Sequence, residues 1–274
     1  MDYDPIKNRF GDAAASRPWI TRLLYAALQL FFLRNWYVRR ELNRVIIQRT
    51  NRDGLRVLDA GTGFGQFSFH LAKKFPESRI EAVDVKEEYV ERAKRFFDSE
   101  GLSDRVSFAK DDLTDLQAIG PFDLILSVDV MEHIEDDEGV FRNFKRVLAP
   151  GGLVIISTPS DLGGSDISGL DGEGFIGEHV RDGYNKEDLS EKLLAAGLRP
   201  TKMIYTYGVF GDIAWRLLIK FPMLLLGASK YLIILLPFYY VLILPIGIAL
   251  NFLDLRSQNE EGTGLLVVAE NQAN

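Results

Sequence analysis

Short apolar runs alternate with amphipathic stretches between Leu55 and Pro159, and this alternation predicts a parallel β-sheet covered by helices. The apolar runs read RVLDAG, SRIEAVDV, RVSFAKDD, FDLILSVDV and GGLVIISTP. Each is short and bounded by Gly, Pro or Asp, as expected of strands that are buried on both faces. Stretches between them, such as KEEYVERAKRFFDSEG, place apolar residues at helical spacing. We therefore expect βαβ units and an α/β fold.

Three further elements follow this region. YNKEDLSEKLLAAGL predicts a helix, with Asn185 as its N-cap and Gly197 near its end. TKMIYTYG and GTGLLVVAEN read as strands, and residues 210–261 lie between them. We expect this pair of strands to close the sheet, with the intervening residues as an insertion.

The insertion contains an uncharged run, YLIILLPFYYVLILPIGIAL, at residues 231–250. It has about the length that crosses a bilayer, which needs roughly 20 apolar residues. A single crossing would put the last two strands on opposite sides of the membrane, so the topology argues against it. Lys220 and Pro222 interrupt the preceding apolar piece, and Pro237 and Pro245 are expected to break or kink helices. These features favour a monotopic or re-entrant anchor.

Two interpretations of the apolar segments stay open. In the anchor interpretation, Lys220, Lys230 and Arg256 reach for lipid headgroups. In the alternative, the insertion is a helical lid that packs its apolar face on the main domain. The N-terminal stretch PWITRLLYAALQLFFLRNWYVRRELNRVI is equally typical of interfacial and of domain-covering helices.

The chain is thus divided into four parts. We expect an N-terminal helical cap at 1–50, a core at 51–209, a hydrophobic helical insertion at 210–261, and the final strand with its tail at 262–274.

Composition and charge argue against several classes of function. A formal net charge of −7 over 274 residues argues against a protein that holds nucleic acid by neutralising phosphates. The chain has no cysteine, which excludes disulfides and thiolate chemistry. Its first residues, MDYDPIKNRFGD, lack the basic start and apolar run of a secretory signal. We expect a cytoplasmic protein, peripheral or monotopic on the inner face of the membrane.

The stretch VLDAGTGFG joins the first strand to a helix through Gly61, Gly63 and Gly65. Such a turn brings backbone N–H groups close to a polar or anionic ligand, although a tight turn without a ligand is the alternative. Asp84 ends the second strand about twenty residues further on, where an acid accepts hydrogen bonds from a ribose diol. A nicotinamide dinucleotide and S-adenosylmethionine both meet these requirements.

Two acidic positions favour S-adenosylmethionine. Asp59, just before the first glycine, suits a positively charged amino acid end and would repel a pyrophosphate. At the end of the third strand, Asp111 or Asp112 would accept a hydrogen bond from an adenine amino group.

With these residues the chain resembles the class I S-adenosylmethionine-dependent methyltransferases, in particular the methyltransferase type 11 group that includes quinone-biosynthesis enzymes. The matching motifs are VLDAGTGFG, AVDV, FAKDDL, FDLILSVDVMEHIED and LAPGGLVIISTP. The resemblance implies a Rossmann-like seven-stranded sheet with helices on both faces, an antiparallel last strand and the cofactor along the carboxyl edge. It implies that Asp59 lies near the methionine ammonium, Asp84 on the ribose, Asp112 rather than Asp111 on the adenine, and Ser127 with Asp129 beside the methionine end. The full cofactor-binding set is Asp59, Gly61, Gly63, Gly65, Asp84, Val85, Asp111, Asp112, Leu113, Ser127 and Asp129.

The glycine-rich segment GEGFIGEHVRDGY, after the fifth strand, carries the preferred catalytic candidates. We expect it to arch over the carboxyl edge, with His179 and Tyr184 as catalytic residues and Glu178 and Arg181 as substrate contacts. The alternative is that the segment only packs on the domain and His179 bonds to the backbone.

A third catalytic candidate, His133, lies in DVMEHIEDD. Asp129, Glu132 and His133 could coordinate a hard divalent ion, as similar spacing does in the related quinone O-methyltransferases. We favour the interpretation without a metal, in which Glu132 and His133 hold the loop by hydrogen bonds. His70, in the helix after the glycine turn, is expected to be structural.

Taken together, the sequence predicts a methyltransferase that acts on a lipophilic, membrane-associated acceptor such as a quinone, phenol, polyketide or lipid. One alternative is a soluble enzyme with a hydrophobic lid over a small acceptor. The other is a noncatalytic S-adenosylmethionine-binding partner or membrane tether. The methylated atom, the acceptor and the oligomeric state stay open.

Overall fold

The computed structural model describes residues 17–48, 54–163 and 180–272, and a seven-stranded sheet forms its centre. The strand order is β3-β2-β1-β4-β5-β7-β6. Strands β1 to β5 pair in parallel, while β7 runs antiparallel between β5 and β6. The strands are β1 Arg56–Ala60, β2 Arg79–Asp84, β3 Val106–Lys110, β4 Phe122–Val128, β5 Leu148–Pro159, β6 Leu198–Thr206 and β7 Gly264–Asn271. The predicted α/β fold with an antiparallel last strand is confirmed.

Helices cover both faces of this sheet, as predicted. Side chains alternate between the two faces along each strand, so Val57 packs with α2, α3 and α4 while its neighbour Leu58 packs with α5 and α6. The helices of the domain are α1 Pro18–Phe31, α2 Leu33–Gln48, α3 Gln66–Lys74, α4 Glu87–Ser99, α5 Asp137–Val147 and α6 Lys186–Ala195.

The cap predicted for α6 forms as expected. The backbone N–H of Asp188 donates to the side-chain Oδ1 of Asn185 at 2.7 Å, which satisfies one of the free donors of the first turn. Gly197 follows the helix with a φ of 80°, a left-handed conformation that glycine adopts without strain.

The two N-terminal helices behave differently from each other. In α2, Leu33, Tyr37, Val38 and Leu42 are buried in the core against the sheet, so this helix covers the domain. In α1, by contrast, large apolar side chains such as Trp19 remain exposed. The domain-covering interpretation is therefore confirmed for α2, and the interfacial interpretation of α1 stays a prediction.

Between β6 and β7 the chain forms a helical hairpin. The outgoing arm comprises α7 Val209–Trp215, a π-helical turn at Arg216–Lys220 and α8 Phe221–Ala228. A 3₁₀ turn at Lys230–Leu235 leads into the returning arm, α9 Leu236–Arg256.

Of the two prolines expected to break or kink helices, Pro237 lies in the first turn of α9 and Pro245 does not break it. The outgoing arm continues through Lys220 and Pro222, and α9 continues through Pro245. Pro222 cannot donate to the carbonyl four residues earlier, that of Leu218. The hydroxyl of Tyr240 donates to that carbonyl at 2.8 Å, and the hydroxyl of Tyr239 donates to the carbonyl of Leu217 at 2.8 Å. The returning arm thus satisfies acceptors on the outgoing arm.

Candidate functional site

The glycine turn lies at the carboxyl end of β1, beside the point where the strand order changes direction between β1 and β4. Such switch points are the usual ligand sites of open α/β sheets. Gly61 has a φ of 80°, and a Cβ there would come within 2.3 Å of the Val130 side chain. The N–H groups of Gly61 and Thr62 both donate to the carbonyl of Val83 at 2.9 Å, which ties the turn to β2.

Asp84 holds this turn from the neighbouring strand end. Its carboxylate accepts from the N–H of Gly63 at 2.8 Å and from the N–H of Lys86 at 2.9 Å. The next residue, Val85, has 57% of its side chain exposed at the same edge. The predicted ribose acid is therefore fixed in position beside the glycines.

Asp59 lies on the inner side of the turn. It is buried, and its Oδ2 accepts from the hydroxyls of Thr62 at 2.8 Å and Ser68 at 2.6 Å. Burial raises the pKa of this carboxyl, and the two hydroxyl contacts oppose that rise. In the structure Asp59 stabilises the turn through these two hydrogen bonds. Its contact with a ligand ammonium stays a prediction.

Asp111 and Asp112 follow β3 and differ in their surroundings. The Asp111 carboxylate accepts from the N–H groups of Asp112, Gln117 and Ala118, and so caps the following loop. Asp112 is exposed, and within the described part of the chain only its Oδ1 accepts hydrogen bonds, from the N–H and hydroxyl of Thr114. Its Oδ2 is left for a ligand, which favours Asp112 over Asp111. Leu113 is buried directly behind it.

Two residues at the end of β4 belong to the same edge. The Oγ of Ser127 is buried and has no hydrogen-bond partner in the described part of the chain. Asp129 adopts a φ of 53°, rare for a residue with a side chain, and its N–H donates to the carbonyl of Ser157 at 2.8 Å. Its carboxylate forms a salt bridge with Arg34 at the start of α2.

The N-terminal helices reach this edge by further contacts. The hydroxyl of Tyr25 in α1 donates to the carbonyl of Phe64 in the glycine turn. The side-chain amide of Asn35 donates to Gln66, the first residue of α3, at 3.3 Å. The hydroxyl of Tyr207, after β6, accepts from the N–H of Arg34 at 3.1 Å. The two helices therefore form a cover over the glycine turn.

A cavity of about 530 Å³ opens next to Asp129. We call it the acceptor cavity. Its floor is formed by the ends of β4, β5, β6 and β7, and one wall is formed by the base of the helical hairpin. Its lining includes Phe32, Arg34, Asp129, Ser157, Thr158, Leu162, Asp182, Thr206, Tyr207, Asp212, Trp215 and Arg216.

Comparison with known proteins decides the family. A family model described as a methyltransferase domain matches residues 51–193, which is more than half of the chain. The chain is a class I S-adenosylmethionine-dependent methyltransferase.

Several characterised methyltransferases are similar to this one. The ubiquinone biosynthesis O-methyltransferase of Caulobacter sp. (strain K31) is 32% identical over 161 residues, which cover 57% of this chain and 63% of that enzyme. The sterol 24-C-methyltransferase erg6 of Aspergillus fumigatus is 33% identical over 103 residues, which cover 37% of this chain and 27% of that enzyme. The matches thus span less than two thirds of either relative's length.

Among solved structures, phosphoethanolamine N-methyltransferase 2 of Haemonchus contortus, in complex with S-adenosyl-L-methionine, has a TM-score of 0.55. It is 21% identical, and the match covers 85% of this chain and 53% of that one. At this identity the likeness shows the shared fold alone.

The residues of the carboxyl edge fit the methyltransferase's cofactor, S-adenosylmethionine. Acidic residues lie at the carboxyl ends of β2, β3 and β4. Asp84 suits the ribose diol, the second oxygen of Asp112 suits the adenine amino group, and Asp129 with the unpartnered hydroxyl of Ser127 suits the cationic methionine end. A pyrophosphate would meet repulsion along this acidic edge.

The catalytic candidates of the methyltransferase fall into two groups. His179 and Glu178 lie outside the described residues. Tyr184 is buried, and its hydroxyl lies 2.8 Å from a carboxylate oxygen of Asp137 and 3.2 Å from the carbonyl of Met131. Arg181 also pairs with Asp137 and donates to the carbonyl of Ile134 at 2.6 Å.

These contacts place Tyr184 and Arg181 in a packed polar cluster and not on the lining of the acceptor cavity. Burial raises the pKa of the Tyr184 hydroxyl, and the neighbouring Asp137 raises it further, so the hydroxyl stays protonated. The cluster holds the loop after β5 against α5. The roles predicted for Tyr184 and Arg181 as catalytic residue and substrate contact stay predictions.

The three residues considered for a divalent ion do not gather around one point. Asp129 turns to Arg34, Glu132 is buried and accepts from the hydroxyl of Thr158 at 3.2 Å, and His133 is exposed. Within residues 17–48, 54–163 and 180–272, no group of three or more His, Asp and Glu side chains is arranged to hold a metal ion.

Sequence reasoning missed Arg34, Tyr207 and Trp215. Arg34 reaches Asp129 across 95 positions, a contact that no local pattern signals. Tyr207 directly follows a strand, and Trp215 lies in the insertion that was predicted as an anchor or a lid, where no pattern singles it out. Their shared position on the acceptor cavity appears only when the cover and the hairpin meet the sheet.

Proposed function

We propose that this methyltransferase works at a membrane surface and methylates a lipophilic small molecule that carries a polar head. The proposal rests on the hairpin, which both lines the acceptor cavity and exposes an apolar surface. Asp212, Trp215 and Arg216, at the base of the hairpin, line the acceptor cavity, and the same hairpin exposes a large apolar surface further out.

The chemistry of the cavity suits a polar head attached to an apolar body. Arg34 with Asp129 and Arg216 with Asp212, the latter pair at 2.8 Å, provide charged groups. Trp215 provides an apolar surface on the side of the hairpin. Bound S-adenosylmethionine supplies an electrophilic methyl group. The cavity residues would hold the acceptor in line, and the predicted base His179 would take the proton of a hydroxyl acceptor.

The outer part of the hairpin, residues 221–246, is here called the tip. Lys230 is its only charged residue. The helical stretch Tyr231–Arg256 is long and apolar enough to cross a membrane, with a mean hydropathy of 2.5 in its most apolar window and 6% of that window buried. The large exposed apolar side chains of the tip are Phe221, Met223, Leu224, Tyr231, Ile233, Ile234, Leu235, Phe238, Val241, Leu242 and Ile246. A contiguous apolar surface of this kind is typical of a membrane-binding site.

The topology supports a monotopic insertion, and the cytoplasmic side is kept as part of the proposal. Strands β6 and β7 are hydrogen-bonded neighbours, so the hairpin begins and ends on the same side of any membrane. Within the tip the returning arm is the longer one, and residues 236–246 of α9 extend for about 16 Å. That length is about one leaflet of a hydrocarbon core about 30 Å thick. Lys220 directly precedes the tip, where headgroups would be, and Arg256 ends α9 at the base of the hairpin.

The exposure of the tip favours the anchor over the soluble-lid interpretation. A lid would bury its apolar face on the domain, whereas the side chains of Phe238, Val241 and Leu242 are each more than 70% exposed. The base of the hairpin does pack on the domain, because Gly211 and Asp254 are buried there.

Co-sedimentation with phosphatidylcholine vesicles tests the anchor. The double variant Phe238→Ser/Leu242→Ser is expected to lower vesicle partitioning by at least about tenfold, because each buried side chain contributes roughly 2 kcal/mol. The matched control is Ile119→Ser/Leu194→Ser, two exposed apolar residues outside the hairpin, which should partition like the wild type. Equal partitioning of all three proteins would overturn the anchor.

Methyl transfer from labelled S-adenosylmethionine to an organic extract of membranes tests the acceptor. We expect labelled product in the organic phase with the wild type, and less product with Trp215→Ala. Label found only in water-soluble products would contradict a lipophilic acceptor.

A further inference from the structure

A second cavity, of about 750 Å³, lies between α1, α2 and α3 and shares no lining residue with the acceptor cavity. We call it the basic cavity. Its charged lining consists of Arg22, Arg39, Lys73 and Lys74, and His70 lies among them. No carboxylate belongs to the lining that the structure describes.

Positive charge in this cavity exceeds the negative charge available to it. Arg22 and Lys73 share the carboxylate of Glu100, at 2.6 Å and 3.3 Å. Arg39 and Lys74 form no salt bridge within the described part of the chain. Lys74 lies at the C-terminus of α3, where the helix dipole favours a cation. Among the described residues, neither a carboxylate nor a helix terminus offsets the positive charge of Arg39.

Three buried polar atoms in the basic cavity lack hydrogen-bond partners among the described residues. They are the Nε of Arg39, the Nε2 of His70 and the Oε1 of Gln29. Buried polar atoms are normally hydrogen-bonded, and a half-buried guanidinium without a counter-ion, as in Arg39, is costly. An anion bound between Arg39 and His70 would satisfy both nitrogens, with His70 donating from Nε2.

The outer rim of the basic cavity is apolar. Trp19 and Leu23 are 59% and 61% exposed, and Ala26 and Leu30 of the cavity lining continue the same stripe along α1 at helical spacing. At the other end of α1, Phe31 packs edge-to-face against Tyr240 of the hairpin, with ring centroids 5.2 Å apart. The basic cavity therefore adjoins a surface that is continuous with the hairpin.

From this geometry we propose that the basic cavity binds a phosphoryl group, as a phosphate monoester or diester. Arg39 and His70 contact the phosphoryl oxygens from inside, and Lys74 contacts them from the rim. The group comes from an anionic lipid headgroup or from a free phosphate compound. The site does not depend on the identity of the methyl acceptor.

The test compares the wild type with Lys74→Gln, Arg39→Gln and the control Arg142→Gln. Arg142 is an exposed arginine on α5, whose side chain is 61% exposed. In the first arm, co-sedimentation is measured with phosphatidylcholine vesicles, with and without phosphatidylglycerol. In the second arm, the melting temperature is measured in inorganic phosphate and in chloride at equal ionic strength. Near-ultraviolet circular dichroism checks the folding of Arg39→Gln, and Lys74 lies on the surface, where a substitution does not disturb the core.

For a lipid source, we expect phosphatidylglycerol to strengthen vesicle binding of the wild type and of Arg142→Gln. Each cavity variant should lose about fivefold in this binding. For a free phosphate compound, inorganic phosphate should raise the melting temperature of the wild type and the control but not of the cavity variants, without a preference for phosphatidylglycerol. The proposal is overturned if Lys74→Gln and Arg39→Gln respond like the wild type in both arms.

Discussion

The carboxylate of Asp84 does two things at the residue scale. It accepts hydrogen bonds from the N–H groups of Gly63 and Lys86, and it presents its remaining acceptor capacity at the carboxyl edge. We expect Asp84→Ala to weaken S-adenosylmethionine binding at least about tenfold, since a hydrogen bond to a charged group contributes roughly 2 kcal/mol. Calorimetric titration measures this, with the exposed Glu91→Ala on α4 as control. Unchanged affinity in Asp84→Ala would remove the residue from the cofactor site.

Asp111 and Asp112 form a matched pair for a second prediction. In Asp112→Asn the Oδ1 can still cap Thr114, but an amide donor replaces the free oxygen and would face the adenine amino group. We expect about tenfold weaker cofactor binding and an unchanged melting temperature. Asp111→Asn should instead lower the melting temperature, because three backbone N–H groups depend on that carboxylate. The reverse result would make Asp111 the adenine ligand.

His70 gives a pH dependence with a defined sign. Burial, together with the charges of Arg39 and Lys74, lowers its pKa to about 4. Below pH about 6.5 the unfolded chain takes up a proton that the folded protein excludes. Stability therefore falls as the pH drops from about 6.5 towards 4, by at most about 1.4 kcal/mol per pH unit for one proton.

The change that isolates this effect is His70→Gln. Urea unfolding between pH about 7 and 5 should give a shallower loss of stability for the variant than for the wild type. Parallel curves would mean that His70 is not shielded from protonation.

At the element scale, Asp254 fixes the base of the hairpin to the domain. It is fully buried, and its carboxylate accepts from the N–H of Gly211 at 2.9 Å and the hydroxyl of Tyr37 at 2.7 Å. Asp254→Ala is expected to destabilise the protein by about 2 kcal/mol, because the buried N–H of Gly211 loses its acceptor and the Tyr37 hydroxyl keeps only the Asp254 carbonyl at 2.8 Å. Urea unfolding measures the loss, and the exposed Asp104→Ala should change stability by less than about 0.5 kcal/mol.

The whole molecule combines a rigid cofactor domain with a protruding tip. Because the tip is largely exposed, its replacement by a short Gly-Ser loop should leave cofactor binding unaffected. S-adenosylmethionine at about 100 times its dissociation constant should stabilise both forms by about 2.7 kcal/mol. Thermal unfolding with and without the cofactor checks this, and a smaller stabilisation of the shortened protein would show that the tip supports the cofactor site.

The strand pattern predicted the fold, because buried strands and amphipathic helices leave local signals in the chain. The same holds for the glycine turn and for the acids at the ends of β2 and β3, whose positions follow from the strand ends. Continuity of the helices through Pro222 could not be predicted, since the compensating hydroxyl comes from Tyr240 in another helix. The salt bridge between Arg34 and Asp129 also could not be predicted from the sequence, because it depends on how α2 packs.

The sequence by itself therefore determined the α/β sheet, the cofactor edge and the apolar character of the insertion. Only the tertiary structure decided that Tyr184 lies in a buried cluster with Asp137, that the hairpin base lines the acceptor cavity, and that Arg39 and His70 share a second cavity. The physical reason is the separation along the chain over which each kind of interaction acts. Periodicity and turn chemistry act between neighbours along the chain, whereas a cavity and the burial of a charge are set by elements that are distant in sequence and meet only in the packed protein.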